Sequence, residues 1–391
     1  MAMLEEVKHQ LAEGIIPFWE NLRDDEYGGY YGLLTFDLAL DKKAVKGCIL
    51  NNRITWFFSN AYTLLKDPRL LEEARHGYEF LRDHCLDREN GGVYWSMTYD
   101  GKPQDTTKHT YNQAFCIYAL SSYYEASKDR EALEEAYRLF RLIEEKCTDD
   151  LGYLEAFTVD FRPESNEKLS ENGVMAEKTM NTLLHVFEAY TELYRVDRSE
   201  EVGERLRWIL DTFAQKIYNP ELRRQEVFFD REYHTLIDLY SYGHDIETSW
   251  LINRGVEVLG DPEYMEKMLP ITEVLADNVK KVAFDGRSLA NECDKGVVNT
   301  DRIWWVQAET VIGFLEAYEK HPERKDYLEA AEAEWSFIRD FVIDHREGSE
   351  WFYAVDPEGN PDPAKRPIVE AWKCPYHNGR MCIEVIRRLS K

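Results

Sequence analysis

The segment Asp129-Arg130-Glu131-Ala132-Leu133-Glu134-Glu135-Ala136-Tyr137-Arg138-Leu139-Phe140-Arg141-Leu142-Ile143 places Leu133, Ala136, Tyr137, Phe140 and Ile143 at helical spacing. Glu134, Glu135, Arg138 and Arg141, followed by Glu144 and Glu145, turn the other way. An apolar stripe opposite a charged face predicts an amphipathic helix lying on a surface, and Asp129 supplies its N-cap. Just upstream, Asn112–Ala126 carries apolar and small residues in nearly every direction around the axis. A helix of that kind is buried on more than one side.

This two-helix unit repeats. The marks Asp67-Pro68-Arg69, Asp129-Arg130-Glu131, Asp197-Arg198-Ser199 and Asp261-Pro262-Glu263 stand 62, 68 and 64 residues apart. Each Asp suits an N-cap, and Pro68 and Pro262 suit the first helical position, where a missing N–H leaves nothing unsatisfied. Six segments share the all-round apolar character and are predicted as inner helices: Arg53–Lys66, Asn112–Ala126, Asn181–Arg195, Ile246–Leu259, Val306–Tyr318 and Asn378–Leu389. Six one-sided partners are predicted as outer helices: Leu4–Leu22, Arg69–Cys85, Arg130–Lys146, Glu200–Ile217, Pro262–Val282 and Asp326–Ile343. The alternation predicts an all-α protein, an (α/α)6 barrel forming a single domain over residues 1–391. The outer-to-inner connections are long and combine Gly with aromatics, as in Asp25-Glu26-Tyr27-Gly28-Gly29-Tyr30 and Asp87-Arg88-Glu89-Asn90-Gly91-Gly92-Val93-Tyr94, which predicts short β-hairpins.

Composition narrows the function. In 391 residues, 74 Asp and Glu against 48 Lys and Arg give a formal net charge of −26, which argues against nucleic acid or an anionic membrane surface as partner. No uncharged apolar run approaches the roughly 20 residues of a membrane helix. Met1–Gln10 lacks a basic-then-apolar leader pattern, and the seven cysteines contain no CxxC pair, so the expected setting is the reducing cytoplasm. No glycine-rich phosphate loop or lysine-centred cofactor motif occurs, so neither hydride nor phosphoryl transfer is expected and no cofactor is called for.

Function is expected on the long-loop face, where the N-termini of the inner helices converge. The residues standing there are Arg53; Lys108, His109 and Tyr111; Glu177, Asn181 and His185; Tyr242, His244, Asp245 and Glu247; Trp304, Trp305, Gln307 and Glu309; and Trp372, Tyr376, His377 and Arg380. His109 alone reads as a capping or core histidine. His244 and His377 each stand just before an inner helix beside an aromatic residue, and imidazoles on opposite walls of a cavity suit proton transfer at neutral pH. His244 and Glu247 are three residues apart, a spacing at which the carboxylate would orient the ring and favour its protonated form. Trp372 and one of the Trp304/Trp305 pair suit stacking on a sugar face. Zinc spacing such as HExxH is absent, so no metal is expected. A glycoside hydrolase using Glu247 with Glu309 is a competitor, although that chemistry needs fewer histidines. A non-catalytic sugar-binding barrel is a further alternative, but it would be expected to lack His244 or His377.

The strings Ser241-Tyr242-Gly243-His244-Asp245-Ile246-Glu247, Trp304-Trp305-Val306-Gln307-Ala308-Glu309 and Trp372-Lys373-Cys374-Pro375-Tyr376-His377-Asn378-Gly379-Arg380 resemble those of the N-acylglucosamine 2-epimerase superfamily, in the form of its cellobiose 2-epimerase branch. The likeness extends to Asn52-Arg53-Ile54 and His109-Thr110-Tyr111-Asn112. It implies an (α/α)6 barrel that interconverts 2-epimers at the reducing-end sugar of β-1,4-linked disaccharides without a cofactor; the expected partners are the disaccharide substrate and, at most, other copies of the chain, as a monomer or weak homo-oligomer. It also implies that His244 and His377 are the acid/base pair, that His185 serves ring opening or the sugar oxygens, and that Arg53 lies near the reacting oxygens. Glu247 and Glu309 are implied as supporting carboxylates, and Tyr111, Asn181, Trp304, Trp305 and Trp372 as sugar contacts. Within the same chemistry, an N-acylglucosamine or mannose 2-epimerase and an aldose–ketose isomerase are the alternatives.

Overall fold

In the computed structural model, which describes residues 2–169 and 173–390, two kinds of helix alternate along the chain. α1 runs Ala2–His9 and continues through a π turn at Gln10–Ile15 into Ile16–Glu20. It is followed by α2 (Cys48–Leu65), α3 (Pro68–Phe80), α4 (Thr110–Ser127), α5 (Arg130–Lys146) and α6 (Met180–Asp197). The remainder are α7 (Glu200–Thr212), α8 (Tyr242–Leu259), α9 (Pro262–Ala283), α10 (Trp304–Lys320), α11 (Lys325–Phe337) and α12 (His377–Leu389). Three outer helices end in a π turn, at Leu81–Cys85, Phe213–Ile217 and Ile338–Val342.

The even-numbered helices are the predicted inner set. They pack each on the next, α2 on α4 and so on to α12, and α12 returns to α2. The odd-numbered helices lie against them in pairs, α1 on α12, α3 on α2, α5 on α4, α7 on α6, α9 on α8 and α11 on α10. Close approach inside this run relies on missing side chains, since a Cβ on Gly379 of α12 would sit 2.5 Å from the Phe57 ring of α2. Asp67, Asp129 and Asp261 cap their helices by accepting the backbone N–H two residues on. The third mark differs from expectation: Asp197 ends α6 and accepts the Tyr137 hydroxyl, and Ser199 starts α7.

Hairpins occur within the long loops, for example Ser96–Met97 with Pro103–Asp105 and Glu292–Asp294 with Val297–Asn299. More of the strand pairing runs between loops. The strand before α2 (Lys46–Gly47) pairs with Ser96–Met97, that before α4 (Lys108–His109) with Ala156–Phe157, and that before α6 (Lys178–Thr179) with Phe228–Phe229. Leu239–Ser241, before α8, pairs with Glu292–Asp294, and Arg302–Ile303, before α10, with Ala354–Val355. Leu34 bridges to Val369, so the first loop also meets the last.

A second repeat holds these loops to the helices. Asp24, Asp87, Asp149 and Asp285 each accept two backbone N–H groups of their own loop. Each also binds a buried cation just before an inner helix: Lys46 at 2.5 Å, Lys108 at 2.9 Å, Lys178 at 2.7 Å and Arg302 at 2.6 Å. Lys108 is thus a clasp of the scaffold. The seven cysteines are unpaired and six are buried. Among the described residues, no helix is long and apolar enough to cross a membrane.

Candidate active site

The starts of the even-numbered helices surround a cavity of about 280 Å³. It is lined by Arg53, Tyr111, Asn181, His185, His244, Glu247, Trp304, Trp305, Trp372 and His377, all singled out from sequence, and also by Lys168 and Tyr353. α8 begins at Tyr242 and α12 at His377, so the two histidines lie in the first turns of their helices rather than just before them. A Cβ at Gly243 would lie 2.6 Å from Trp305, so glycine there lets the indole close against the start of α8. Trp305 consequently touches both imidazoles, with ring centroids 4.8 Å from His244 and 5.5 Å from His377. The two histidines can be no farther apart than those two lengths laid end to end.

All three cavity histidines are tied down through Nδ1. His185 Nδ1 meets Glu188 Oε2 at 2.8 Å, His377 Nδ1 meets Glu309 Oε1 at 2.7 Å, and His244 Nδ1 meets the Ser241 hydroxyl at 2.7 Å. An ionised carboxylate can only accept, so His185 and His377 donate from Nδ1, and Nε2 is the nitrogen left free of that anchor. The partner expected for His244, Glu247, bonds Arg380 instead. Burial therefore decides the titration of His244 and pushes its pKa down to about 3, helped by His185, so the ring rests neutral.

Beneath the histidines, one guanidinium joins three buried carboxylates. Arg380 donates from Nη1 to Glu188 at 2.5 Å and from Nη2 to Glu247 at 2.5 Å and Glu309 at 2.6 Å. Tyr376 and His185 add donors to Glu188, and Trp250 and His377 add donors to Glu309. Burial works against the charge on Glu188, but Arg380 and these donors hold its pKa at about 2. Glu247, whose one hydrogen-bond donor among the described residues is Arg380, and which has Glu309 nearby, is pushed up to about 7, mainly by burial. Oxygens of Glu247 and Glu309 and a nitrogen of His377 lie within 4.8 Å of one another, a spacing that also suits a metal ion. Here the Arg380 guanidinium already bridges both carboxylates, and a second positive charge would be repelled.

Arg53 spends one donor on the Tyr111 hydroxyl at 2.8 Å and one on the Trp372 carbonyl at 3.2 Å, while among the described residues its buried Nε and the buried Asn181 Oδ1 have no hydrogen-bond partner. Several sequence candidates do not line the cavity. Glu309, implied as a supporting carboxylate, is fully buried behind His377 and does not reach the cavity. Tyr376 and Arg380 lie below the histidines, Asp245 is held by Gln225, Gln307 bonds the Leu289 backbone, and Glu177 pairs with Arg231. Tyr242 is buried against Tyr240, and His109 is buried against Trp95 with no side-chain hydrogen bond to the start of α4, so of the capping and core readings it is the core one that fits. Sequence reasoning missed Glu188, Ser241 as the partner of His244, Lys168 and Tyr353. Glu188 was findable, being three residues after His185 on one helical face.

Over residues 29–377 the sequence matches the N-acylglucosamine 2-epimerase family, and the chain belongs to it. By that membership it is an isomerase of the epimerase type. It is 51% identical to a cellobiose 2-epimerase of Eubacterium cellulosolvens over 98% of each chain, and 50% identical to one of Ruminococcus albus over 99% of each. A solved sugar epimerase from a ruminal bacterium superposes with a TM-score of 0.97 at 49% identity, covering 99% of both chains.

Proposed function

We propose that this protein inverts C2 of the reducing-end hexose of β-1,4-linked disaccharides, interconverting cellobiose with glucosyl-mannose and lactose with epilactose, without a cofactor. One observation carries the reading: three imidazoles on a single cavity, each anchored at Nδ1, with Nε2 left for a ligand. The relatives at about half identity are cellobiose 2-epimerases, which supports a disaccharide as substrate. The supporting fold is an (α/α)6 barrel, read from the closed run of inner helices and their outer partners, in one domain over residues 1–391. Unpaired cysteines favour a reducing compartment, the cytoplasm.

Inverting a carbon that bears only H, OH and carbon neighbours requires removal of its proton, which is feasible only beside a carbonyl. The sugar ring must therefore open to the aldehyde first. A neutral imidazole, His244 or His377, then takes the C2 proton, and the enediolate is stabilised by the Arg53 guanidinium. The other imidazole returns a proton from the opposite face, or the same one does so after rotation about C2–C3. Trp304, Trp305, Trp372, Tyr111 and Asn181 hold the sugar.

Cellobiose incubated with the enzyme in D₂O should give glucosyl-mannose deuterated at C2, whereas mannose and N-acetylmannosamine, tested separately, should turn over more slowly. Release of glucose would indicate a hydrolase, and a ketose as main product an aldose–ketose isomerase. Either result, or epimer formed without solvent deuterium, would overturn the proposal.

A further inference from the structure

Apart from the substrate cavity, a second cavity of about 170 Å³ lies between the strand Ala156–Phe157, the turn at 163–166 and the segment at 175–177 that leads into α6. Its wall includes Glu155, Glu164, Ser165, Asn166, Glu177 and Arg231. Two of these side chains are buried with an oxygen to spare. Glu155, 2% exposed, accepts the Thr182 hydroxyl on Oε2 at 2.7 Å, and among the described residues its Oε1 has no hydrogen-bond partner. Asn166, 4% exposed, donates from Nδ2 to the Ala176 carbonyl at 3.4 Å. That bond fixes which end of the amide is the oxygen, and among the described residues Oδ1 has no hydrogen-bond partner either.

Both spare atoms are acceptors, so they call for a donor or for a positive charge. The surrounding charges decide between the two. Arg231 pairs with Glu177 at 3.2 Å, and Glu164 accepts the Ser165 N–H, so three carboxylates on this wall stand against one guanidinium. Among the described residues no cation pairs with Glu155. A buried carboxylate without a counter-charge is unfavourable, and a neutral donor would satisfy the two oxygens while leaving that charge in place. A divalent cation meets both needs. The wall offers carboxylate, amide and hydroxyl oxygens and neither His nor Cys, a donor set that suits calcium and not zinc. Glu155 and Asn166 follow no metal-ligand spacing, which is why the sequence alone predicts no metal.

We propose that this cavity is a calcium site, with Glu155 Oε1 and Asn166 Oδ1 as its buried ligands and the remaining positions filled from the rim and by water. The ion ties the turn at 163–166 to the start of α6 and takes no part in the chemistry at C2. It braces two pieces of the substrate cavity from behind, because Lys168 follows Asn166 by two residues and Asn181 adjoins Thr182, the partner of Glu155.

The experiment uses the full-length protein, stripped with EDTA and dialysed free of it. Burial pushes the Glu155 carboxyl up to about 7, so calcium is added at pH 8, where this group is ionised. Salt at about 0.15 M screens the acidic surface. Isothermal calorimetry with CaCl2 should show a single ion bound with a Kd of roughly 10⁻⁴ to 10⁻³ M, the range of weak oxygen-ligand sites. Thermal unfolding should shift upward by about 2–3 °C at about 10 mM calcium. Glu155→Gln keeps the acceptor for Thr182 and gains an amide donor for Asn166, so it should fold, bind at least about tenfold more weakly and lose the shift. Asn166→Asp adds a charged ligand and should bind about tenfold more tightly, a gain that a purely structural role for these residues would not produce. Absence of binding at about 10 mM calcium would overturn the proposal. So would binding that Glu155→Gln leaves unchanged, as attraction to the acidic surface alone would give, or an Asn166→Asp protein that binds no more tightly than wild type. Should Glu155→Gln fail to fold, Asn166→Asp and Asn166→Ala, on the turn, carry the test in opposite directions. Every readout is binding or unfolding, so failure here is distinct from failure of the proposed function.

Discussion

His377 Nδ1 stands 2.7 Å from the Glu309 carboxylate, yet burial holds this imidazole well below its ordinary range rather than above it. A carboxylate alone would raise the value. Here Glu309 shares its charge with Arg380, and Arg380, Arg53, His185 and His244 all oppose a second positive charge. The carboxylate thus fixes the ring and its tautomer while leaving the ring a neutral base.

Replacing either base should remove the C2 chemistry without unfolding the chain. His377→Asn and His244→Asn are each expected to lower kcat/KM for cellobiose epimerisation by roughly 10²- to 10⁴-fold, with unchanged circular dichroism. Retained turnover in either variant would remove that residue from the mechanism.

The Ser241 hydroxyl anchors Nδ1 of His244 at 2.7 Å. Ser241→Ala should lower kcat about fivefold, the rate equivalent of one hydrogen bond of about 1 kcal/mol, and leave KM nearly unchanged. A rise in KM at constant kcat would instead make Ser241 a binding residue.

Stability should depend on pH through Asp245. Burial, opposed by hydrogen bonds from Gln225, raises this carboxyl from 3.8 to about 8, and among the described residues its Oδ2 has no hydrogen-bond partner. In the unfolded chain it ionises near 3.8, whereas in the folded protein it stays neutral up to about 8. A raised carboxyl pKa makes the folded state progressively less favourable as pH climbs between those limits. Asp245→Asn should therefore be more stable than wild type at pH 8, by on the order of 1–3 kcal/mol, with the difference shrinking toward pH 4. Urea unfolding at pH 4, 6 and 8 measures it, and a constant difference across the range would exclude Asp245 as its source.

The buried clasps offer a test of the scaffold. Lys108→Met should destabilise the protein by about 3–5 kcal/mol, because it leaves Asp87 buried and unpaired. The double variant with Asp87→Leu should not regain wild-type stability, since Asp87 also holds the Glu89 and Asn90 N–H groups. Full recovery in a urea titration would show that the ion pair alone mattered.

Much of this architecture could be read from the chain. The helix period and the Asp marks located the twelve long helices of the described residues, because burial on one side or on all sides leaves a pattern along each segment. Helix starts were less legible. α2 begins at Cys48 rather than Arg53, since Asn51 and Asn52 are polar yet buried and their tertiary partners cannot be read locally. The site residues were found because they cluster at those starts, but pairing failed where the partner comes from another helix. Local spacing joined Glu247 to His244, whereas Arg380 of α12, 133 residues away in sequence, takes it in the fold. Asp24, Asp87, Asp149 and Asp285 lay in plain view, and their repeat became visible only once the lysines and arginine they bind were brought beside them.

Because α12 supplies Arg380 and follows the other eleven helices, synthesis delivers the negative charges before their counterweight. Glu188, Glu247 and Glu309 thus stand on three helices made before the guanidinium that joins them, and docking of α12 brings Arg380 to all three and installs His377 in the same movement.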